Sequence, residues 1–310
     1  MKISLIYLTM LICSICSKGQ SSYIDTEIIE DRSTLPLSLP PHSQLPLKTY
    51  RDNDVQKALV SKIMANPHWR RLIEQKKMAI SLVDMRNPDA IKYSGINENT
   101  MLYAASLPKI AILLSTMDAL EKGEIEETPE IDRDLKLMIS KSDNQASTRL
   151  IDLLGYQKIA DVLRNPKYEL YHEKHGGGLW VGKRYAKTGE RNPDPIKGLS
   201  HAATTYQVSR FYYLMASGRL ISKERSKQML DVMEEPALHH KFVNTLDKIA
   251  PEARLFRKSG SWQNYHSDSI LVWGSPDRRY ILVALIEDAD GENIIRQLVM
   301  PVEEVLNVEN

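Results

Sequence analysis

Cysteine is nearly absent from this chain: two residues in 310, Cys13 and Cys16, both close to the N-terminus. The rest must be held together by its core, without disulfides. A charge imbalance is missing as well, since 41 Lys and Arg stand against 40 Asp and Glu for a formal net charge of +1. That balance gives no reason to expect a nucleic-acid partner or an anionic membrane surface. The one long apolar run, residues 3–15, is shorter than the ~20 residues a bilayer crossing needs. With 42% hydrophobic and 26% charged residues, the chain is neither disordered nor fibrous. At this length one large domain or two intimately packed lobes is expected, because single cores stop growing at roughly 250–300 residues.

The N-terminus reads as an export signal over residues 1–19. Lys2 is its basic end, residues 3–15 its apolar run, and Ser17-Lys18-Gly19 puts small residues where a signal peptidase needs them. Cleavage removes both cysteines, Lys2 and Lys18, so the formal charge falls by two from +1 to −1. The expected product is an exported monomer, periplasmic or secreted, with no stable membrane anchor. Lipidation at Cys16 is disfavoured by Ile15, a poor small-residue position. Residues 20–51 hold Pro36, Pro40, Pro41 and Pro46 among Ser and Leu, a composition that predicts an extended tether outside the fold.

Residues 52–75 carry Val55, Leu59, Ile63, Trp69, Leu72 and Ile73 at mostly helical spacing, with Pro67 expected to kink or split the helix. Residues 78–85 and 90–96 are strand-like around Arg86-Asn87-Pro88-Asp89, which reads as a hairpin. Residues 108–122 place Ile110, Leu113, Leu114, Met117 and Leu120 on one broad helical face and stop at Gly123. From 131 to 250 the pattern is mostly helical, interrupted over 165–198 by a Gly-, Pro- and charge-rich stretch of the length that functional loops have. Strand character returns at 253–262, 269–273 and 280–286, and residues 292–306 form a closing helix. Strands at both ends with helices between them predict an α/β (α+β) fold: an antiparallel sheet of about five strands flanked by the terminal helices, with an inserted all-helical lobe. The single domain is expected over 52–310, with a sheet lobe from 52–100 and 250–310 and a helical lobe from 101–249.

Three short strings fit one mechanism. Ser106-Leu107-Pro108-Lys109 sets a serine and a lysine three residues apart at a helix start, on one face and within reach. A hydroxyl is a weak nucleophile until a neighbour takes its proton, and a lysine can do so when burial or nearby cations lower its pKa. Ser142-Asp143-Asn144 lies between helical segments and offers a hydroxyl that can shuttle a proton and an amide that can hold a carbonyl. The third string has two candidates, Lys187-Thr188-Gly189 and Lys258-Ser259-Gly260. Context favours the second, because Lys258 ends a strand-like run while Lys187 lies in the irregular stretch. Gly260 lets backbone pack close, and the N–H of Ser261 could join that of Ser106 as a pair of oxyanion donors.

Taken together and in this order, the three strings resemble those of the penicillin-recognising serine enzymes, class A β-lactamases in particular. Ala104-Ala105-Ser106 leading into an apolar helix, and Ala203-Thr204-Thr205 opening a later one, resemble the family too, and the likeness runs over 52–306. It implies that Ser106 is acylated, Lys109 and Ser142 move protons, Asn144 orients the substrate, and Lys258 with Ser259 holds its carboxylate. It implies no cofactor, and a β-lactam or peptidoglycan-like small molecule as substrate.

The chain also departs from that family. The Glu-x-x-Leu-Asn string whose glutamate serves deacylation in class A enzymes is absent, which leaves Glu169 and Glu173 as the nearby candidates. The Ser106 to Ser142 span is short, and Asp268 and Ser269 stand where an arginine often follows the third string. His172-Glu173-x-His175 lacks the spacing of a zinc helix, so no metal is expected and the segment reads as a polar loop. His239-His240 reads as structural, and His266 as a candidate at the groove's border. The leading expectation is a serine hydrolase that opens β-lactams through an acyl-enzyme and deacylates slowly. Its rivals are a peptidoglycan-directed peptidase or esterase that β-lactams inhibit, and a penicillin binder without turnover.

Overall fold

Two capping side chains divide the first helical segment. In the computed structural model, which describes residues 34–39 and 44–307, Asp52 accepts from the backbone N–H groups of Asp54 and Val55 and opens α1 (Asn53–Met64). Asn66 accepts from those of His68 and Trp69 and opens α2 (Pro67–Glu74), with Pro67 in the first turn, where its missing N–H costs nothing. The expected kink is therefore a clean break. The export signal, both cysteines and the first part of the expected tether lie outside the described residues.

Strands β1 (Met78–Asp84) and β2 (Lys92–Ile96) form the expected hairpin. After β3 (Leu102–Tyr103) and α3 (Lys109–Glu121), the helices α4 (Pro129–Ser140), α5 (Asn144–Leu154) and α6 (Tyr156–Arg164) follow. The irregular stretch holds short pairings. β4 (Tyr171–His172) pairs with β5 (Gly177–Gly178), while β6 (Trp180–Val181) and β7 (His201–Ala203) join β3 in a small sheet ordered β3-β7-β6. Then come α7 (Thr205–Ala216), α8 (Lys223–Met233), α9 (Phe242–Ile249), β8 (Arg254–Trp262), β9 (Tyr265–Trp273) and β10 (Arg279–Glu287). α10 (Gly291–Gln297) and α11 (Val299–Leu306) close the chain.

The main sheet is antiparallel, with the order β2-β1-β10-β9-β8. It has the five strands the sequence leads one to expect. Side chains alternate across it. Along β10, Tyr280, Leu282, Ala284 and Ile286 pack with α1, α2, α9, α10 and α11, while Ile281, Val283 and Leu285 join the core shared with the helical lobe. Because both faces are covered, the strand reads as a continuous apolar run rather than an alternating one. β8 is one edge strand, opposite β2, and its Lys258 reaches Ser142 of the helical lobe.

Three boundaries differ from expectation. β9 begins at Tyr265 instead of 269, since Ser267, Asp268 and Ser269 are polar yet fully buried with partners. Asp268 accepts from Arg257 (2.8 Å), and Ser269 Oγ donates to the carbonyl of Lys258 (2.8 Å). The helical lobe does not reach 249: α9 places Phe242, Val243 and Leu246 in the core on the terminal-helix side of the sheet. The described part of 20–51 is not an excluded tether either. Leu37, Leu39 and Leu47 are buried in the main core, and the Leu37 N–H donates to the carbonyl of Ala216 at the end of α7 (2.7 Å). The leucines between the prolines find an apolar surface, and that burial outweighs the extended bias of the prolines. Among the described residues no helix is long and apolar enough to cross a membrane.

Candidate active site

Ser106 lies in the turn between β3 and α3, where Ala105 takes a left-handed φ of 49° and the Lys109 N–H donates to the Ser106 carbonyl (3.3 Å). The next helix is buried on every side, so Lys109, its first residue, is carried into the interior with no exposed surface. Its Nζ donates to the carbonyl of Ser142 (2.7 Å) and to Asn144 Oδ1 (2.8 Å), and lies 3.4 Å from Ser142 Oγ. It also sits 4.4 Å over the ring of Tyr185. Burial lowers its pKa from 10.5 to about 7, against a smaller upward pull from Asp143. Near neutral pH the amine is thus in part free to take a proton.

Ser142 occupies the loop between α4 and α5 with a left-handed φ of 57°. Asp143 caps α5 by accepting from the Ala146 N–H (2.7 Å), and its two neighbours face the lysines. On the other side, Lys258 of β8 donates from Nζ to Ser142 Oγ (2.9 Å) and to the Ser259 carbonyl (2.7 Å). Its pKa is held well below the usual lysine range by complete burial first, and then by the charges of Lys109 and Arg257. Residues from all three strings therefore meet at one hydroxyl. Backbone strain of the kind seen at Ala105 and Ser142 costs on the order of 1–3 kcal/mol each and persists where the surroundings over-determine it.

Gly260 explains the closeness of β8 to the nucleophile turn. A Cβ there would stand 2.5 Å from Ser106 N and would overlap the Ala104 carbonyl, so only glycine fits. Ser267 Oγ ties the two together by donating to that same carbonyl (2.8 Å). A third lysine supports the strand from behind. Lys241, at φ 57° and fully buried, donates from Nζ to the Gly260 carbonyl (2.6 Å) and to Ser261 Oγ (2.9 Å). Burial brings its pKa down to about 8.

In front of these groups opens a cavity of about 740 Å³ lined by Ser106, Asn144 and Ser261 together with Tyr103, Tyr185, His201, Trp262 and Tyr265. Lys109, Ser142 and Lys258 lie behind its wall; Ser259 is buried in β8 opposite Asp268 and does not line it. His201 Nε2 donates to the Lys183 carbonyl (3.0 Å), and burial lowers its pKa to about 4, so the imidazole is neutral. The irregular stretch contributes Lys183, Arg184, Tyr185, Ala186, Lys187 and Arg191 to the same cavity. Of the two candidate third strings, Lys258 bonds to Ser142 while Lys187 reaches the cavity rim.

The expected deacylating carboxylates are elsewhere. Glu173 is exposed and pairs with Arg164 (3.4 Å), while Glu169 borders a second cavity with Arg51, Glu98 and Arg210. Glu173 lies in the turn between β4 and β5 and Glu169 just before β4, and neither lines the Ser106 cavity. Among the described residues no Asp or Glu lines the Ser106 cavity. Glu169, His172 and His175 come together around β4 and the turn after it, their ligating atoms within 4.8 Å of one another, so the loop is more clustered than its spacing suggests. His239 pairs with Asp247 (2.7 Å), and His266 packs on Gly291 outside the cavity.

A family model described as the beta-lactamase enzyme family matches residues 127–302. The chain belongs to that family. Among solved structures it is similar to the beta-lactamase from Sphaerobacter thermophilus DSM 20745, at 18% identity over 80% of this chain and 95% of the other, with a TM-score of 0.61. It is similar to PBP-A at 18% identity over 88% and 99%, with a TM-score of 0.60. A mutant of PBP-A, solved as its acyl-enzyme complex with penicillin G, aligns at 18% identity over 83% and 97%, with a TM-score of 0.59. At these identities the likeness is one of fold. No curated protein matches the sequence. Within this beta-lactamase family member, Lys241, Tyr185 and His201 are the site residues that sequence reasoning missed. Only the length of the 165–198 stretch pointed toward Tyr185, and nothing local marked Lys241.

Proposed function

We propose that the protein is an exported serine hydrolase that forms an acyl-enzyme at Ser106, opens β-lactams, and deacylates slowly. The observation that carries this reading is the asymmetry of the cavity: lysines and a shared hydroxyl stand behind Ser106, and among the described residues no carboxylate lines it. For acylation, Lys109 in its amine form takes the Ser106 proton as Oγ attacks the lactam carbonyl. The N–H groups of Ser106 and Ser261 receive the oxyanion, and Ser142 passes a proton to the departing lactam nitrogen. Asn144 holds the side-chain carbonyl, and Lys258 faces the substrate carboxylate from behind the wall.

Hydrolysis of the ester needs a second base beside a held water, and its loss costs typically ~10²–10⁴-fold. Intact mass spectrometry over time after mixing with benzylpenicillin tests the reading. The expected result is rapid appearance of an adduct of wild-type protein that persists for many minutes and is absent in Ser106→Ala. An adduct on Ser106→Ala, or fast turnover with no detectable adduct, would overturn it. The missing carboxylate also favours a second reading, a peptidoglycan-directed peptidase that penicillins inhibit, which steady release of D-alanine from a synthetic acyl-D-Ala-D-Ala peptide would establish.

A further inference from the structure

The wall that faces Ser106 from the irregular stretch is built of cations. Lys183, Arg184, Lys187 and Arg191 all line the cavity. Arg184 is balanced by Asp152 (2.5 Å), but no acidic side chain among the described residues pairs with Lys183, Lys187 or Arg191. Lys183 Nζ donates instead to the Lys187 carbonyl (3.2 Å), which folds the loop back on itself and keeps the charges together. Lys183 and Arg191 are bridged partners on antiparallel backbone, where like charges directly opposite each other are unfavourable. Their field reaches the site: the charges of Lys109, Lys183 and Arg191 all push the His201 pKa in the same downward direction. An arrangement that repels itself and opens onto a reactive serine is relieved by an anion in the cavity.

We propose that this wall is a specificity subsite for an acyl donor whose side chain carries an anionic group, a carboxylate or a sulfonate, in addition to the carboxylate next to the reacting amide. Lys183, Lys187 and Arg191 receive that second anion, and Trp262 and Tyr265 cover its apolar neighbour across the cavity. The inference rests on the Ser106 acylation reading for its location and names the substrate class of that site. Three part-solvated cations attract a dianion over a monoanion by about tenfold at low ionic strength, and the preference shrinks as the Debye length falls from about 30 Å at 0.01 M to about 3 Å at 1 M salt.

The test compares second-order acylation rates, read by intact mass, for benzylpenicillin and for the penicillin that differs from it by a carboxylate on the benzylic carbon. Expected is a rate ratio of about ten in favour of the dianion at low salt, falling toward one in 1 M NaCl and below one in the double variant Lys187→Glu/Arg191→Glu. A ratio near one in the wild type, or one that survives charge reversal, overturns the subsite. If no penicillin acylates Ser106, the acylation reading fails on its own. Binding of phenylmalonate, followed by calorimetry, then decides the subsite: salt-sensitive binding that the double variant loses supports it, and the absence of such binding overturns it.

Discussion

Lys109→Met separates what the buried amine does for chemistry from what it does to stability. In the unfolded chain a lysine titrates near 10.5, and in this site Lys109 titrates at about 7. Between those values the unfolded state binds a proton that the native state does not, so stability rises with pH there; below about 7 both states are charged and the full burial penalty applies. From pH 7 to pH 9 Lys109 alone contributes a gain of about 2 kcal/mol, which for a chain of this size is a rise of roughly 5 °C in Tm. Methionine has nearly the same length and no proton to bind. The expected outcome is that thermal unfolding of the variant, followed by circular dichroism, loses most of this pH slope. Lys258 trims the difference, because it no longer feels its neighbour's charge and its pKa moves back up. Acylation by benzylpenicillin should fall ~10²–10⁴-fold with the base gone. In the wild type the acylation rate should climb through pH 7 as the amine form accumulates. Parallel pH–Tm curves for the two proteins, or a wild-type acylation rate flat from pH 6 to 8, would refute the assignment of Lys109 as a base poised near neutrality.

Further outcomes follow from the same geometry. Gly260→Ala forces a Cβ against the Ala104 carbonyl and Ser106 N, so acylation should drop at least tenfold while the fold, read by circular dichroism, is retained; an unchanged rate would show that the close approach is not needed. Glu169→Gln and Glu173→Gln should leave the lifetime of the penicillin adduct within about twofold of wild type, because neither carboxylate faces Ser106; a longer lifetime in either variant would place that residue in deacylation. Leu47→Ala removes a leucine that is 1% exposed and should cost about 2–5 kcal/mol in denaturant unfolding, with acylation of the folded protein preserved; a cost below about 0.5 kcal/mol would return this segment to the status of a tether.

Much of the site was legible because its chemistry is local. Ser106 and Lys109 lie within one helical turn, so their spacing alone puts them on one face, and Lys258 could be preferred to Lys187 because it sits in a strand-like run. The sheet was legible for the same reason, its five strands being apolar runs bounded by turns. What stayed hidden depends on contacts made across the fold. Lys241, the residue before α9, reaches Gly260 and Ser261 some twenty residues further along the chain only once β8 is in place, and no periodicity around residue 241 announces this. Tyr185 comes under Lys109 through a loop without a period. The start of β9 was concealed by Ser267-Asp268-Ser269, whose burial is made tolerable by Arg257, Lys258 and Tyr212, residues remote in sequence. Leu37, Leu39 and Leu47 were masked by the prolines around them, since composition reports stiffness and says nothing of the surface a chain lies against.

The concentration of buried lysine in one place bears on how the site works. Lys109, Lys241 and Lys258 are each under 2% exposed, and the buried carboxylate whose charge acts on Lys241 and Lys258, Asp268, is held by Arg257 at 2.8 Å. The three amines are hydrogen-bonded to carbonyl and hydroxyl oxygens rather than paired with opposite charge. Desolvation is therefore the dominant influence on all three and drives every one of their pKa values downward. An anionic group entering the cavity acts in the opposite direction. It raises the pKa of each amine it approaches, so binding takes up protons at neutral pH, and by linkage protonation strengthens binding. Substrate attraction should thus weaken as the pH rises, in the same range where the free amine of Lys109 becomes available as a base. Two opposed dependences on one set of groups therefore bound efficient acylation on both sides, below by the loss of the free Lys109 amine and above by the weakening of the charge that holds the substrate.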